Sequence, residues 1–361
     1  MIQKEDAMKG VLWMSFIMFG AGCRTDLGVD PIAAELQNYT LIFARNQTEL
    51  NVPGGTGRGI YTSRGDGTMI RDLSQHPAGG YGGVRGYDTT PQPSPDGSKI
   101  AFRTNRNGGE EIYVMNRDGS NKVNVTNFSG LDLEFSWSPD GTRIVFSRLI
   151  DFIYVVHIMN HDGSGLAPVS DPAISSRYPD WSPDGTKIVY SRFMSSTPSF
   201  PWQIVVKDLA ADSTTILTDS TESGVFPHWS RDGKKVYYLI LGAGITTGVR
   251  VKALDGTFSN MLAGFYPGRG RPLAWSPNGT EFLGSDSIGL AVIQSDLTSL
   301  RRMPVSGFDP QWSPDQKWIV FLRTDDQNLN QVAVVTSDGA IVRSIGDSRY
   351  GDLRPSWLPV E

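Results

Sequence analysis

Trp137-Ser-Pro-Asp-Gly-Thr-Arg-Ile-Val-Phe-Ser147 is the stretch whose reading decides the fold. Its first half suits a type I turn: Ser138 opens it, Pro139 fixes φ at about −65°, and Gly141 closes it. Its second half, Arg143 to Ser147, reads as a β-strand in period-2 alternation. One turn feeding one strand specifies little, but the chain repeats the unit. Copies stand at Pro93-Ser-Pro-Asp-Gly97, Trp181-Ser-Pro-Asp-Gly185, Trp229-Ser-Arg-Asp-Gly233, Trp275-Ser-Pro-Asn-Gly279 and Trp312-Ser-Pro-Asp-Gln316, and Trp357-Leu-Pro359 is a truncated one. The first positions, 93, 137, 181, 229, 275, 312 and 357, are spaced by 44, 44, 48, 46, 37 and 45 residues. Six of the nine tryptophans occupy this one position, so a structural repeat is the dominant signal.

Outward from the motif, each unit supplies the same further elements. A second strand follows the first, as in Glu111 to Met115, Gln203 to Lys207 and Gln331 to Val335, and most of these end in an Asp-Gly turn such as Asp118-Gly119 or Asp338-Gly339. A short outer strand comes next, such as Lys122 to Thr126, and another strand precedes the Trp position. Four antiparallel strands in a period of this length make a propeller blade, so the fold class is all-β. Residues 39–73 supply the second, third and fourth strands of a unit whose first strand is missing, and Leu353-Arg-Pro-Ser-Trp357 supplies the missing strand. Six units plus this composite predict a seven-bladed β-propeller closed by pairing of the N- and C-terminal strands, which leaves no sheet edge open at the junction. A six-bladed ring is the alternative, should the short unit from Trp275 not form its own blade.

Pro-x-Trp-Ser-Pro-Asp-Gly followed by Ile-Tyr-Val-Met-Asn-x-Asp-Gly resembles the repeat of the TolB-type propeller, the WD40-like Pro-Asp repeat, over about residues 39–361. TolB itself has six blades and a separate N-terminal α/β domain, for which the segment between Cys23 and Tyr39 has no room, so a relative of the propeller part is expected. The resemblance implies contacts with periplasmic or surface proteins, often through the central channel.

The N-terminus reads as a targeting signal. Gly10 to Gly22 is an uncharged, mostly apolar run, too short to span a bilayer as a helix and matched to the apolar region of a secretory signal. With Gly20, Ala21 and Gly22 before Cys23, it resembles the bacterial lipoprotein signal, and Met8 suits its start. Cys23, the one cysteine of the chain, is the expected lipidation site, and several acyl chains meet the requirement for stable anchoring. The domains read as 1–23 signal segment, 24–37 tether and 38–361 propeller. Arg24 after the cysteine points to the outer membrane of a bacterial envelope.

Composition narrows the function. Net charge is −5 and no basic run occurs, which disfavours a nucleic-acid partner. Repeated Trp, Pro, Asp and Gly are read as structural, and the aspartates lack EF-hand loop spacing, so no calcium or other metal is expected. His76, His157, His161 and His228 show no zinc-ligand context, and only His228 is expected to point toward the axis. No Gly-x-Ser-x-Gly nucleophile elbow occurs, and the glycine runs 54–59 and 79–83 read as hairpin loops. No cofactor is expected. The default site is then the channel, lined by the strand before each Trp: Arg85, Asp88, Leu133, Glu134, Arg177, Tyr178, Phe226, Arg271, Asp309 and Arg354. Such a mouth suits a peptide with carboxylates and an aromatic anchor. The sequence therefore reads as a monomeric, lipid-anchored envelope module that binds a protein or peptide. The alternative is a carbohydrate-active, lyase-like propeller enzyme in the same compartment.

Overall fold

Each Ser-Pro-Asp-Gly copy folds as its residues demand. Gly97 donates its N–H to the Ser94 carbonyl at 2.8 Å and sits at φ 71°, a left-handed conformation open to glycine. Gly141, Gly185, Gly233 and Gly279 repeat it, whereas Gln316 holds the same place at φ 64°. The Ser hydroxyl ties the turn to the strand: Lys99 N donates to Ser94 Oγ at 3.0 Å, and Ser94 Oγ donates to Asp96 Oδ1 at 2.5 Å.

The computed structural model describes residues 30–47, 57–74, 86–194, 202–218, 222–241, 248–257, 259–263, 274–286, 288–345 and 351–359. Among these the strands form seven four-stranded antiparallel sheets. We number the blades I to VII from the composite one. Their first strands are Asp352–Leu358, Asp88–Pro93, Leu131–Trp137, Ser176–Trp181, Ser223–Trp229, Ala274–Trp275 and Phe308–Trp312. The short unit from Trp275 does form its own blade, VI, with five-residue second and third strands, Glu281–Ser285 and Leu290–Gln294. That settles the count at seven.

Blade I joins the two ends of the propeller. Thr40–Gln47 pairs with Asp352–Leu358, Leu41 facing Trp357 and Arg45 facing Asp352, and Gly57–Arg64 and Arg71–Asp72 complete the sheet. Arg45 Nε donates to Asp352 Oδ1 at 2.6 Å inside the blade, and Arg117 of blade II donates to the Pro359 carbonyl at 2.6 Å. Part of the expected tether, 24–37, lies outside the described residues; from Asp30 onward it is docked. The short helix Pro31–Leu36 is capped by Asp30 and buries Leu36, while Asp30 meets Arg343 at 2.5 Å and Glu35 meets Lys317 at 3.3 Å on blade VII.

The core is distributed. Seven apolar clusters are present among the described residues, one at each junction between consecutive blades. The repeated Trp belongs to the junction with the blade before it: Trp137 lies with Ala101, Ile112 and Val114, and Trp181 with Val145 and Val156. In three of the copies its indole N–H reaches back as well, Trp137 to the Gln92 carbonyl at 3.1 Å, Trp229 to the Asp180 carbonyl at 3.3 Å and Trp357 to the Gln311 carbonyl at 3.0 Å. Because a blade is covered on both faces, second strands are buried almost continuously (Ile144 to Arg148, Val236 to Ile240) instead of alternating in and out as the sequence pattern suggested. Truncating one fully buried aromatic here, such as Phe146, removes about 3–5 kcal/mol.

Candidate binding mouth of the central channel

The turn face is chemically spent. In each Ser-x-Asp/Asn turn the carboxylate or amide oxygen accepts from the Ser hydroxyl and from a backbone N–H two residues on, as Asp140 does from Ser138 Oγ and Thr142 N. These bonds favour the ionised form, so the Asp96 and Asp140 carboxyls are held down at about 2, the Ser hydroxyl being the largest cause for both. The repeated aspartates are turn staples.

The opposite face differs. First strands touch those of the next blade at five of the seven junctions, while fourth strands such as Ser213–Ile216 are exposed at the outside. Each fully described first strand carries a β-bulge: its register slips between Thr89 and Gln92, Leu133 and Ser136, Arg177 and Asp180, Val225 and His228, and Phe308 and Gln311, with a matching slip opposite Ile42–Ala44 in blade I. At every bulge one residue is left-handed: Thr90, Glu134, Tyr178, Phe226, Asp309 and Arg354, with φ between 31° and 59°. Pro91, Pro179, Pro227, Pro310 and Pro355 follow five of them, and proline, lacking an N–H, loses no ladder bond there. A left-handed L-residue costs about 1–2 kcal/mol, so this ring is held against local preference.

The bulge side chains meet around the axis. Arg177 pairs with Glu134 of blade III, and its guanidinium lies 4.2 Å from the Tyr154 ring centre and 4.8 Å from that of Tyr178. The Tyr178 and Phe226 rings are 4.1 Å apart, linking blades IV and V. Between blades VII and I, Asp309 and Arg354 face each other without a bond. Asp309 Oδ1 is buried with no hydrogen-bond partner, and the Arg354 guanidinium has no hydrogen-bond or ion-pair partner among the described residues. Burial lowers the Arg354 pKa; Asp309 opposes this, and the nearby Arg103 and Arg58 charges add to it. Arg58 Nε donates to Asn46 Oδ1 at 3.0 Å, and Arg103 meets Glu110 at 2.7 Å. Burial and Glu110 push the Tyr87 hydroxyl up to about 12, which keeps it a donor to that carboxylate.

The structure thus groups Glu134, Arg177, Tyr178, Phe226, Asp309 and Arg354 at one level. Asp88 does not join them. Its side chain is 0% exposed and pairs with Arg106 at 2.6 Å, because this column faces the interior of the blade, as Asp132 with Arg148 and Asp352 with Arg45 also show. Thr90 holds the bulge position of blade II. Cys23, Arg85 and Arg271 lie outside the described residues, as do the glycine run 79–83 and part of 54–59. His228 is nearly buried, with Nδ1 3.3 Å from Asp180 Oδ2, and His157 Nδ1 bonds to the Val155 carbonyl. Among the described residues no three His, Cys, Asp or Glu side chains converge as a metal site, and no helix is long and apolar enough to cross a membrane. Sequence reading missed Thr90, Arg58, Arg103 and Tyr154. The proline after the bulge residue was the available signal for Thr90.

Residues 61–277, more than half of the chain, match the family model of the TolB β-propeller domain. This chain belongs to the TolB β-propeller family. Solved structures agree on the fold. TolB from Acinetobacter baumannii superimposes with a TM-score of 0.54 at 18% identity, over 91% of this chain and 70% of that one. An oligogalacturonate lyase in complex with manganese gives 0.58 at 14%, over 85% of each chain. A puromycin hydrolase gives 0.62 at 15%, over 85% of this chain and 52% of that one. No curated protein matches the sequence. The bulge ring is where this chain's own residues differ from blade to blade.

Proposed function

We propose that this protein is a cell-envelope binding module that takes a polypeptide at the mouth formed by the bulge ring, and that a lipid on Cys23 holds it to the bacterial outer membrane. The observation that carries the binding reading is the Asp309–Arg354 pair: a buried acceptor and a half-hidden cation on adjacent blades, each short of a partner among the described residues. Orphaned buried groups call for an explanation, and a peptide unit supplies an acceptor for Arg354 and a donor for Asp309 together. Tyr178 and Phe226 offer an aromatic surface on the same ring. The apolar run before Cys23 and membership of the TolB family support the envelope setting. The lyase-like alternative finds less support, since His157 and His228 are engaged inside the fold.

The test is capture from envelope extract by the soluble form lacking residues 1–23, compared with Arg354→Ala, Arg177→Ala and a turn-face control, Lys234→Glu. A captured polypeptide lost with Arg354→Ala and kept with Lys234→Glu is expected. Capture unaffected by both channel substitutions would refute the site.

A further inference from the structure

The loops that join second to third strands stand on the same face as the bulge ring, and their residues are sorted by blade. Over blades III to VI the described residues at these loops and strand ends expose the apolar side chains Ile150, Phe152, Phe193, Leu241 and Ile288, with Asp151 exposed among them. Phe152 is the extreme case. It sits with Asp151 in the two-residue turn between Arg143–Ile150 and Ile153–Asn160, with φ of 47° at Asp151 and 66° at Phe152, and its side chain is 97% exposed. Such turns favour Asn-Gly or Asp-Gly, so a bulky apolar residue here answers neither the backbone nor water. Within blade IV, Phe193 stacks edge-on against its cross-strand partner Trp202 at 5.3 Å. The arc is continuous with the channel, because Tyr154 of the Phe152 hairpin carries Arg177, which carries Tyr178, which meets Phe226.

Over blades I and II the mouth is cationic instead. Burial lowers the pKa of Arg58 and of Arg354, the nearby Arg103 charge adds to both and Arg58 adds to that of Arg354, and of the three only Arg103 has a carboxylate within ion-pair distance among the described residues. Among the described residues, one side of the opening presents apolar side chains to solvent, and on the other Arg58 and Arg354 have no carboxylate at ion-pair distance, although Asp309 faces Arg354.

We infer that this mouth docks an acidic amphipathic segment of a partner protein, laying apolar side chains on the Phe152 arc and carboxylates on Arg58 and Arg354. This rests on the channel-mouth reading above and adds the chemistry of its ligand. A membrane surface fits less well, because Asp151 stands beside Phe152 at the tip and repels an anionic bilayer.

The probe is a synthetic peptide of about a dozen residues with Leu and Phe on one face and Glu on the other, followed by fluorescence anisotropy with the soluble protein. A second peptide replaces Glu by Lys, and vesicles of phosphatidylcholine and phosphatidylglycerol stand for the membrane. The glutamate peptide is expected to bind, the lysine peptide not, and affinity to fall about tenfold or more in Phe152→Gly and in Arg58→Ala. Phe152→Gly should keep or raise the melting temperature, since glycine relieves the left-handed turn, so lost binding there is not lost folding. Equal binding of both peptides, an unchanged affinity in Phe152→Gly, or vesicle attachment that depends on Phe152 overturns the inference. Arg354→Ala separates the two readings. Affinity lost in Phe152→Gly but kept in Arg354→Ala leaves the rim and removes the channel, and the converse removes the rim alone.

Discussion

Replacing Asp352 by Ala strands the Arg45 guanidinium inside blade I. The pair is bidentate, Nε to Oδ1 at 2.6 Å and Nη2 to Oδ2 at 3.2 Å, with side-chain exposures of 5% and 0%. Asp352 Oδ2 also accepts from Val332 N of blade VII at 3.3 Å, so the carboxylate ties the closing strand to the neighbouring blade as well. Removing one partner of a buried pair costs about 3–5 kcal/mol, mainly because the remaining charge stays desolvated. Replacing both partners by apolar residues of similar volume, Arg45→Met with Asp352→Leu, is close to neutral by the same argument. Asp132→Ala provides the internal comparison: Arg148 and Asp132 share the geometry, at 2.8 and 2.9 Å, in a blade made from one continuous stretch of chain. Urea denaturation of the four proteins is the assay. A loss in Asp352→Ala at least as large as in Asp132→Ala, recovered in the double substitution, is expected. A loss below about 1 kcal/mol, the range of exposed ion pairs, would refute the reasoning.

Two further outcomes follow from the turns. Gln316→Gly should stabilise the fold by about 1 kcal/mol, because glycine fits the left-handed position that Gly97, Gly141, Gly185, Gly233 and Gly279 hold elsewhere; a lowered denaturation midpoint would contradict this. The Asp96 and Asp140 carboxyls titrate at about 2 in the fold, below their unfolded value, so the stability they contribute is present above that value and lost as pH falls toward 2. Asp140→Asn, which copies the natural Asn278 turn, should flatten part of the acid limb of a stability–pH curve; an unchanged limb would show that Asp140 does not contribute to it.

Why some of this was legible and some was not comes down to the range of the interactions. The Ser-x-Asp/Asn motif encodes a turn through bonds spanning five residues, so blades II to VII announce themselves locally. Ring closure was legible because blade I lacks a first strand at one end of the chain and the other end carries a spare. Asp88 was misplaced because period-2 alternation does not say which face of an inner strand looks along the axis. Its column, with Asp132 and Asp352, faces second-strand positions held by Arg148 and Arg45, and in blade II Thr104 stands there while Arg106 supplies the charge. The bulge shifts the next residues out of simple alternation, and only the prolines after it betray that in sequence. The rim was least legible: Phe152 and Ile288 sit in loops of different length with no counterpart in other blades, so no repeat exposes them.

The decisive measurement is site-specific photo-crosslinking in cells, with a benzophenone amino acid at Phe226 in the bulge ring or at Lys234 on the turn face. A discrete polypeptide adduct from position 226, lost when Arg354→Ala is added, with none from position 234, is the expected result. An adduct from position 234, or one from position 226 that ignores Arg354, would contradict a ligand held by the bulge ring.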